Sequence, residues 1–312
     1  MDITRYELNY SASNGRHDIF SCIWCDTTRK HYSAVVQLVH GMAEYILRYE
    51  DFAVYLAKRG YVVCGNDHSG HGFSAEKDND FGYFGKKENS WKYLIDDMNY
   101  LEGMMRLKYP DIPYFMIGHG MGSLLAREYI AAYGDDFNGA VFMGTSGPKA
   151  AVDFGIRLSG MLASRHPMEQ GVIINKLAFG DNNKKIKNAR TEYDWLSTDK
   201  EMVEKYVNDE KCGFLFTFEG YHALFQLLKT VNRREWAESL PKNLPMLLIS
   251  GKDDPVGGYG KGIKQVYNSM IKAGCTDTSI KLLYGARHEI LNETRRDKVF
   301  GILYNWLENN ID

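Results

Sequence analysis

A chain of 312 residues exceeds a typical single domain, but α/β folds of this length form as one core with an insertion. Its composition, 44% hydrophobic and 25% charged with 7 Pro, is that of a globular protein able to bury a full core. Lys and Arg number 38 against 40 Asp and Glu, a net charge of −2 that gives no sign of the concentrated basic face a nucleic-acid binder needs. Residues 1–10 alternate polar and apolar side chains and lack the basic start and apolar run of a signal peptide. No stretch approaches eighteen uninterrupted apolar residues, so no membrane-spanning helix is expected. Five scattered cysteines, odd in number, fit reduced thiols in a cytoplasmic protein. Cys22 and Cys25 form a CxxC, but in a strand-like segment residues three apart face opposite ways, against a redox or metal pair.

The elements follow in order. Residues 3–10 and 19–26 read as antiparallel strands around an Asn14-Gly15 turn. Residues 34–40 form a strongly apolar strand, 44–58 a helix, and 61–66 a second short strand. Residues 91–107 are helical and end at Tyr109-Pro110. Strand 114–117 runs into Gly118-His119-Gly120-Met121-Gly122, followed by helix 123–133 and strand 140–143. The rhythm breaks after Pro148: residues 149–240 are helical in pattern, irregular and rich in aromatics. It resumes with strand 246–249, helix 262–273, strand 280–283 and helix 297–307. Apolar strands without alternation, separated by helices, predict an α/β fold with a mostly parallel sheet and helices on both faces. The predicted core is 1–148 with 241–312, and 149–240 a helical cap.

Chemistry collects at the carboxyl ends of these strands, where sites of open α/β sheets form. The run 118–122 has the spacing of a nucleophile elbow, G-x-S-x-G, between strand and helix, with Gly120 where serine is needed. His40-Gly41-Met42 ends the first apolar strand; the Met42 amide, with that of Met121, is placed to hold an oxyanion. Asp254, ahead of Pro255-Val256, is favoured over Asp253 as the acid, and His288 as the base. Positions 120, 254 and 288 thus supply nucleophile, acid and histidine in the chain order that this chemistry uses.

Several words carry a wider likeness: His40-Gly41-Met42-Ala43-Glu44 with Arg48-Tyr49, Asp67-His68-Ser69-Gly70-His71-Gly72-Phe73-Ser74, the elbow itself, Lys252-Asp253-Asp254-Pro255-Val256 and Arg287-His288-Glu289. Within the insertion, Arg190-Thr191-Glu192-Tyr193-Asp194-Trp195-Leu196 and Cys212-Gly213-Phe214 add to it. The chain resembles the monoacylglycerol lipase and lysophospholipase branch of the α/β-hydrolases, the serine aminopeptidase-like group. The resemblance implies an α/β-hydrolase fold with Met42 and Met121 as oxyanion donors, Asp254 and His288 as acid and base, position 120 as nucleophile, and no cofactor or metal.

With Gly120 in the nucleophile's place, the chain as written is expected to be nearly inactive, either a nucleophile-deleted variant or a natural relative that binds without cutting. Ser123 should face the helix packing and Ser146 a turn, so neither replaces it. His68 and His71 read as structural loop residues, His119 as packed under the elbow, and Glu44 with Arg48 as a helical i, i+4 pair. In the insertion, Phe179, Phe214 and Tyr221, with His40 and Gly41 below, are candidate substrate contacts in a greasy acyl pocket. The run Lys184-Lys185-Ile186-Lys187 is a solvated face or a transient contact with an anionic membrane surface. The reading is an esterase for single-chain lipids. The alternatives are a peptidase or amidase on the same fold, which would need acids such as Glu169, Glu192 or Glu219 in the cap to hold a substrate amine, and a non-catalytic binding protein.

Overall fold

The computed structural model of the chain describes residues 1–75, 80–86 and 88–311. One eight-stranded sheet organises them, in the order β1-β2-β4-β3-β5-β6-β7-β8. Strands β1 (Ile3–Ser11) and β2 (Asp18–Asp26) form the antiparallel hairpin, and β2 pairs antiparallel with β4 (Val62–Asn66). From β4 onward every pairing is parallel, through β3 (Val35–Val39), β5 (Tyr114–His119), β6 (Gly139–Met143), β7 (Met246–Gly251) and β8 (Thr278–Leu283). Strands β3 to β7 are buried at every position, which is why they read as apolar runs without alternation.

Helices α2 (Trp91–Lys108), α3 (Met121–Tyr133) and α9 (Lys261–Lys272) cover one face; α1 (Glu50–Ala57) and α10 (Arg296–Glu308) cover the other. Along β3 the side chains divide accordingly: Val35 and Val39 enter the α2–α3 core, Val36 and Leu38 the α1–α10 core. Cys22 and Cys25 divide in the same way, and all five cysteines are free and buried. Among the described residues no helix is long and apolar enough to cross a membrane.

Between β6 and β7 come α4 (Val152–Ala163), α5 (Val172–Phe179), α6 (Lys200–Val207), α7 (Phe218–Thr230) and α8 (Arg234–Ser239). α7 packs on α4 and on α3, and α8 on α3 and α9. The outer side of α4 and α5 is apolar and uncovered: Phe154, Met161, Val172, Ile173 and Leu177 are all exposed.

One expected helix needs correction. Residues 44–58 do not form a single helix: Ala43 has φ +54° and Tyr45 is extended, then a 3-10 turn, Ile46–Tyr49, leads into α1. Glu44 is held back in the turn because its carboxylate accepts the amide of Gly41 (2.6 Å) and the hydroxyl of Tyr49 (2.7 Å).

Candidate active site

Because β3 lies between β4 and β5, the chain leaves the sheet in opposite directions at its carboxyl end, opening a crevice there. Gly120 lies buried between β5 and α3, at the carboxyl end of β5, with φ +54° and ψ −118°. Its amide donates to the Met143 carbonyl (3.0 Å), and its carbonyl accepts the amide (3.1 Å) and hydroxyl (2.6 Å) of Ser123. Ser123 is therefore spent on the helix start. A Cβ at Gly118 would overlap the Gly122 carbonyl, and one at Gly122 the Val39 and His40 carbonyls, so the flanking glycines are sterically required.

A Cβ on Gly120 would lie 3.1 Å from His288 Nε2 and 3.8 Å from Gly41 Cα. The elbow, the histidine and the turn after β3 therefore converge on one point. The amides of Met42 and Met121 beside it have no backbone partner among the described residues. On the far side of the ring, His288 Nδ1 is 3.1 Å from Asp254 Oδ1. Asp254 is completely buried; its Oδ1 accepts the Val256 amide (2.8 Å) and its Oδ2 the Ser250 hydroxyl (2.9 Å). Burial pushes its carboxyl up, but the nearby His288 and the hydrogen bonds from the Ser250 hydroxyl and the Gly257 amide outweigh that and hold it below the usual carboxylate range. Asp253 faces solvent.

A second layer supports the turn and the histidine. The His119 ring lies tilted against that of His288, centroids 4.6 Å apart, with Nε2 3.2 Å from the His288 carbonyl and Nδ1 3.2 Å from Glu44 Oε1. Burial disfavours its charge, yet Glu44 raises it above the usual histidine value. Arg48 reaches Glu44 (2.6 Å) and grips Glu289 through both nitrogens (2.6 and 2.7 Å). The Glu44–Arg48 pair is thus not an intrahelical contact, as expected from spacing, but part of a buried link from the turn at 41–44 to the loop of His288.

His40 is fully buried with both ring nitrogens engaged, Nδ1 near the Gly41 carbonyl (2.9 Å) and Nε2 accepting the His68 amide (2.9 Å). Its ring lies tilted against that of His68, centroids 4.1 Å apart; burial holds His40 well below the usual histidine value and drives His68 down to about 4 and His71 to about 3, so the three rings are neutral near pH 7. No group of three His, Cys, Asp or Glu among the described residues is arranged to hold a metal.

Phe214 packs against Phe81 and His71, while Tyr221 is buried, donates to Asn175 (2.8 Å) and contacts Phe216 and Phe179. The ring partners of His288 are instead His119 and Trp195, the latter 5.3 Å away. Trp195 lies in the stretch 190–196 of family likeness, where no local pattern marks it for a role at the site. Of the acids considered for holding an amine, Glu169 and Glu192 are exposed, and Glu219 turns into the α2–α7 interface on the Ser90 hydroxyl (2.5 Å). Ser146 is a buried residue of the loop after β6, its hydroxyl near the Gly147 and Val256 carbonyls.

Residues 30–295 match the family described as serine aminopeptidase, S33. The chain belongs to this family. It is 25% identical to a monoacylglycerol lipase of Mycolicibacterium smegmatis over 99% of both chains. To human monoglyceride lipase it is 28% identical, over 83% of this chain and 77% of that one. Among solved structures, a thermostable carboxyl esterase from Bacillus coagulans superposes with a TM-score of 0.92 at 30% identity, over 99% of each chain. The fold is that of the α/β-hydrolases, and membership makes the chain a hydrolase by descent.

Proposed function

We propose that this fold serves hydrolysis of carboxylic esters of single-acyl-chain lipids, with position 120 as the seat of the nucleophile, His288 as base and Asp254 as its orienting acid. One observation carries the reading: His288 Nε2 lies 3.1 Å from the place of a residue-120 Cβ while Asp254 backs the opposite nitrogen. A serine there would attack the ester carbonyl as His288 takes its proton. The amides of Met42 and Met121 would hold the oxyanion, and His288 would return the proton to the leaving alcohol. Water, activated by the same imidazole, would then release the acid. With glycine at 120 there is no nucleophile, and the chain as written binds esters without cleaving them. A site kept whole apart from that one side chain reads as a deleted nucleophile.

Segment 149–240 is the cap over this crevice. The names of the relatives support a lipid ester, and the uncovered apolar side of α4 and α5 supports transient contact with a lipid surface. The five buried free thiols suit a reducing compartment such as the cytoplasm.

The test is Gly120→Ser, assayed with monoacylglycerols and nitrophenyl esters of graded chain length. The serine form should turn over about 10⁶-fold faster than the parent. If neither form hydrolyses any ester, the reading fails.

A further inference from the structure

The turn after Met42 depends on a residue from a distant element. Ala43 is one of the few non-glycine residues with positive φ, a left-handed conformation costing about 1 kcal/mol unless its surroundings impose it. They do so through its carbonyl, which accepts two hydrogen bonds from the insertion: the amide of Gly213 (3.0 Å) and the hydroxyl of Tyr206 on α6 (3.0 Å). Tyr206 is buried, and its ring carries the Arg48 guanidinium at 4.8 Å, the same guanidinium that joins Glu44 to Glu289. The stretch that leads into α6 also grips the other side of the site. The Leu196 carbonyl accepts the Glu289 amide (2.7 Å), and Arg287 donates to the carbonyls of Asp194 (2.6 Å) and Ser197 (2.8 Å). Elsewhere α6 is set off from residues 45–51 by a polar groove of about 930 Å³ that does not reach His288. The contacts of Tyr206, together with the Gly213–Ala43 bond and the Tyr45–Asp209 hydrogen bond (2.8 Å), tie the two walls of this groove.

We propose that Tyr206 is a positioning residue: its hydroxyl fixes the Ala43 turn, hence the peptide that carries the Met42 amide, and its ring seats Arg48 against the His288 loop. α6 thereby sets the oxyanion turn and the histidine loop together. The role in turnover rests on the esterase reading above; the hold on the turn does not. Tyr206 touches no reacting atom, so its effect should appear where the oxyanion forms. Acylation and deacylation both pass through that oxyanion, whereas ester binding does not need it.

The experiment uses Tyr206→Phe, which keeps the ring and loses the hydroxyl, in the full chain with Gly120 and again with Gly120→Ser. Hydrogen–deuterium exchange of residues 40–47 should quicken several-fold in both backgrounds, while residues 285–293 stay protected because the ring still seats Arg48. Tyr206→Leu should loosen both segments. In the serine form, Tyr206→Phe should lower kcat on a nitrophenyl ester about tenfold and leave KM unchanged, and Tyr206→Leu should lower it further. Unchanged exchange at 40–47 overturns the proposal, as does faster exchange with kcat unaltered in an active serine form. Faster exchange in a serine form that hydrolyses nothing supports the hold on the turn and removes the esterase reading instead.

Discussion

Gly144 and His288 are packed so closely that a methyl group on Gly144 would fall 2.9 Å from Cε1 and 3.0 Å from Nδ1 of the imidazole. Gly144 follows β6 with φ +57° and donates its amide to the Ile249 carbonyl, so its backbone has no room to retreat. Gly144→Ala should push the ring off its line to position 120 and cut kcat of the Gly120→Ser form about a hundredfold. Gly285→Ala is the control: Gly285 has φ +74° but open space around its Cβ, so only backbone strain of about 1 kcal/mol enters. Paired kinetics and melting curves separate the two effects.

Asp254→Asn should lower kcat of the serine form by about 10⁴ with little change in stability. The amide replaces the charge that stabilises the imidazolium and favours the wrong tautomer. Asp253→Asn, at an exposed side chain, should leave kcat within about twofold. Steady-state kinetics on the two variants decide which aspartate backs His288.

The buried Arg48–Glu289 fork predicts a large loss when broken from one side. Arg48→Ala takes the guanidinium from the buried Glu289 carboxylate, while Glu44 keeps Gly41, Tyr49 and His119, and should cost about 3–5 kcal/mol in urea unfolding. Arg48→Lys should recover only part of it, because an ammonium cannot reproduce the two-nitrogen grip.

Glu219 gives a pH test that needs no catalysis. Burial pushes its carboxyl up to about 7, outweighing the hydrogen bond that Oε1 accepts from the Ser90 hydroxyl. The folded state therefore holds a proton that the unfolded state has already released above about pH 4.5. By linkage this contribution to stability falls as pH rises from about 4.5 to 7 and stays lost above. Glu219→Gln removes the titration, so its melting temperature should gain on the parent across that window, by up to about 3 kcal/mol of stability at pH 8. A difference that does not vary with pH would contradict the assignment.

The α/β order, the parallel sheet and the crevice positions of 120, 254 and 288 were legible because they depend on local signals. Buried strands write unbroken apolar runs, and a tight strand-to-helix turn demands glycine at both ends. The course of residues 43–49 was not legible, because periodicity favours a helix there and only the tertiary bonds of Glu44 and Ala43 overrule it. Trp195, Tyr206 and Gly144 escaped for a related reason: each acts on the site from a separate element, through a ring or a shape with no local pattern. The exposure of Ile173 and Leu177 was likewise hidden, since an apolar residue on a short helix reads the same whether it faces a pocket or solvent.

The most direct test is to treat the Gly120→Ser form and the parent with a fluorophosphonate and locate the adduct by peptide mass. The account predicts one adduct on residue 120 of the serine form, none on the parent, and loss of labelling when His288→Ala is added. Labelling of Ser123 or Ser146, or none in either form, would contradict it.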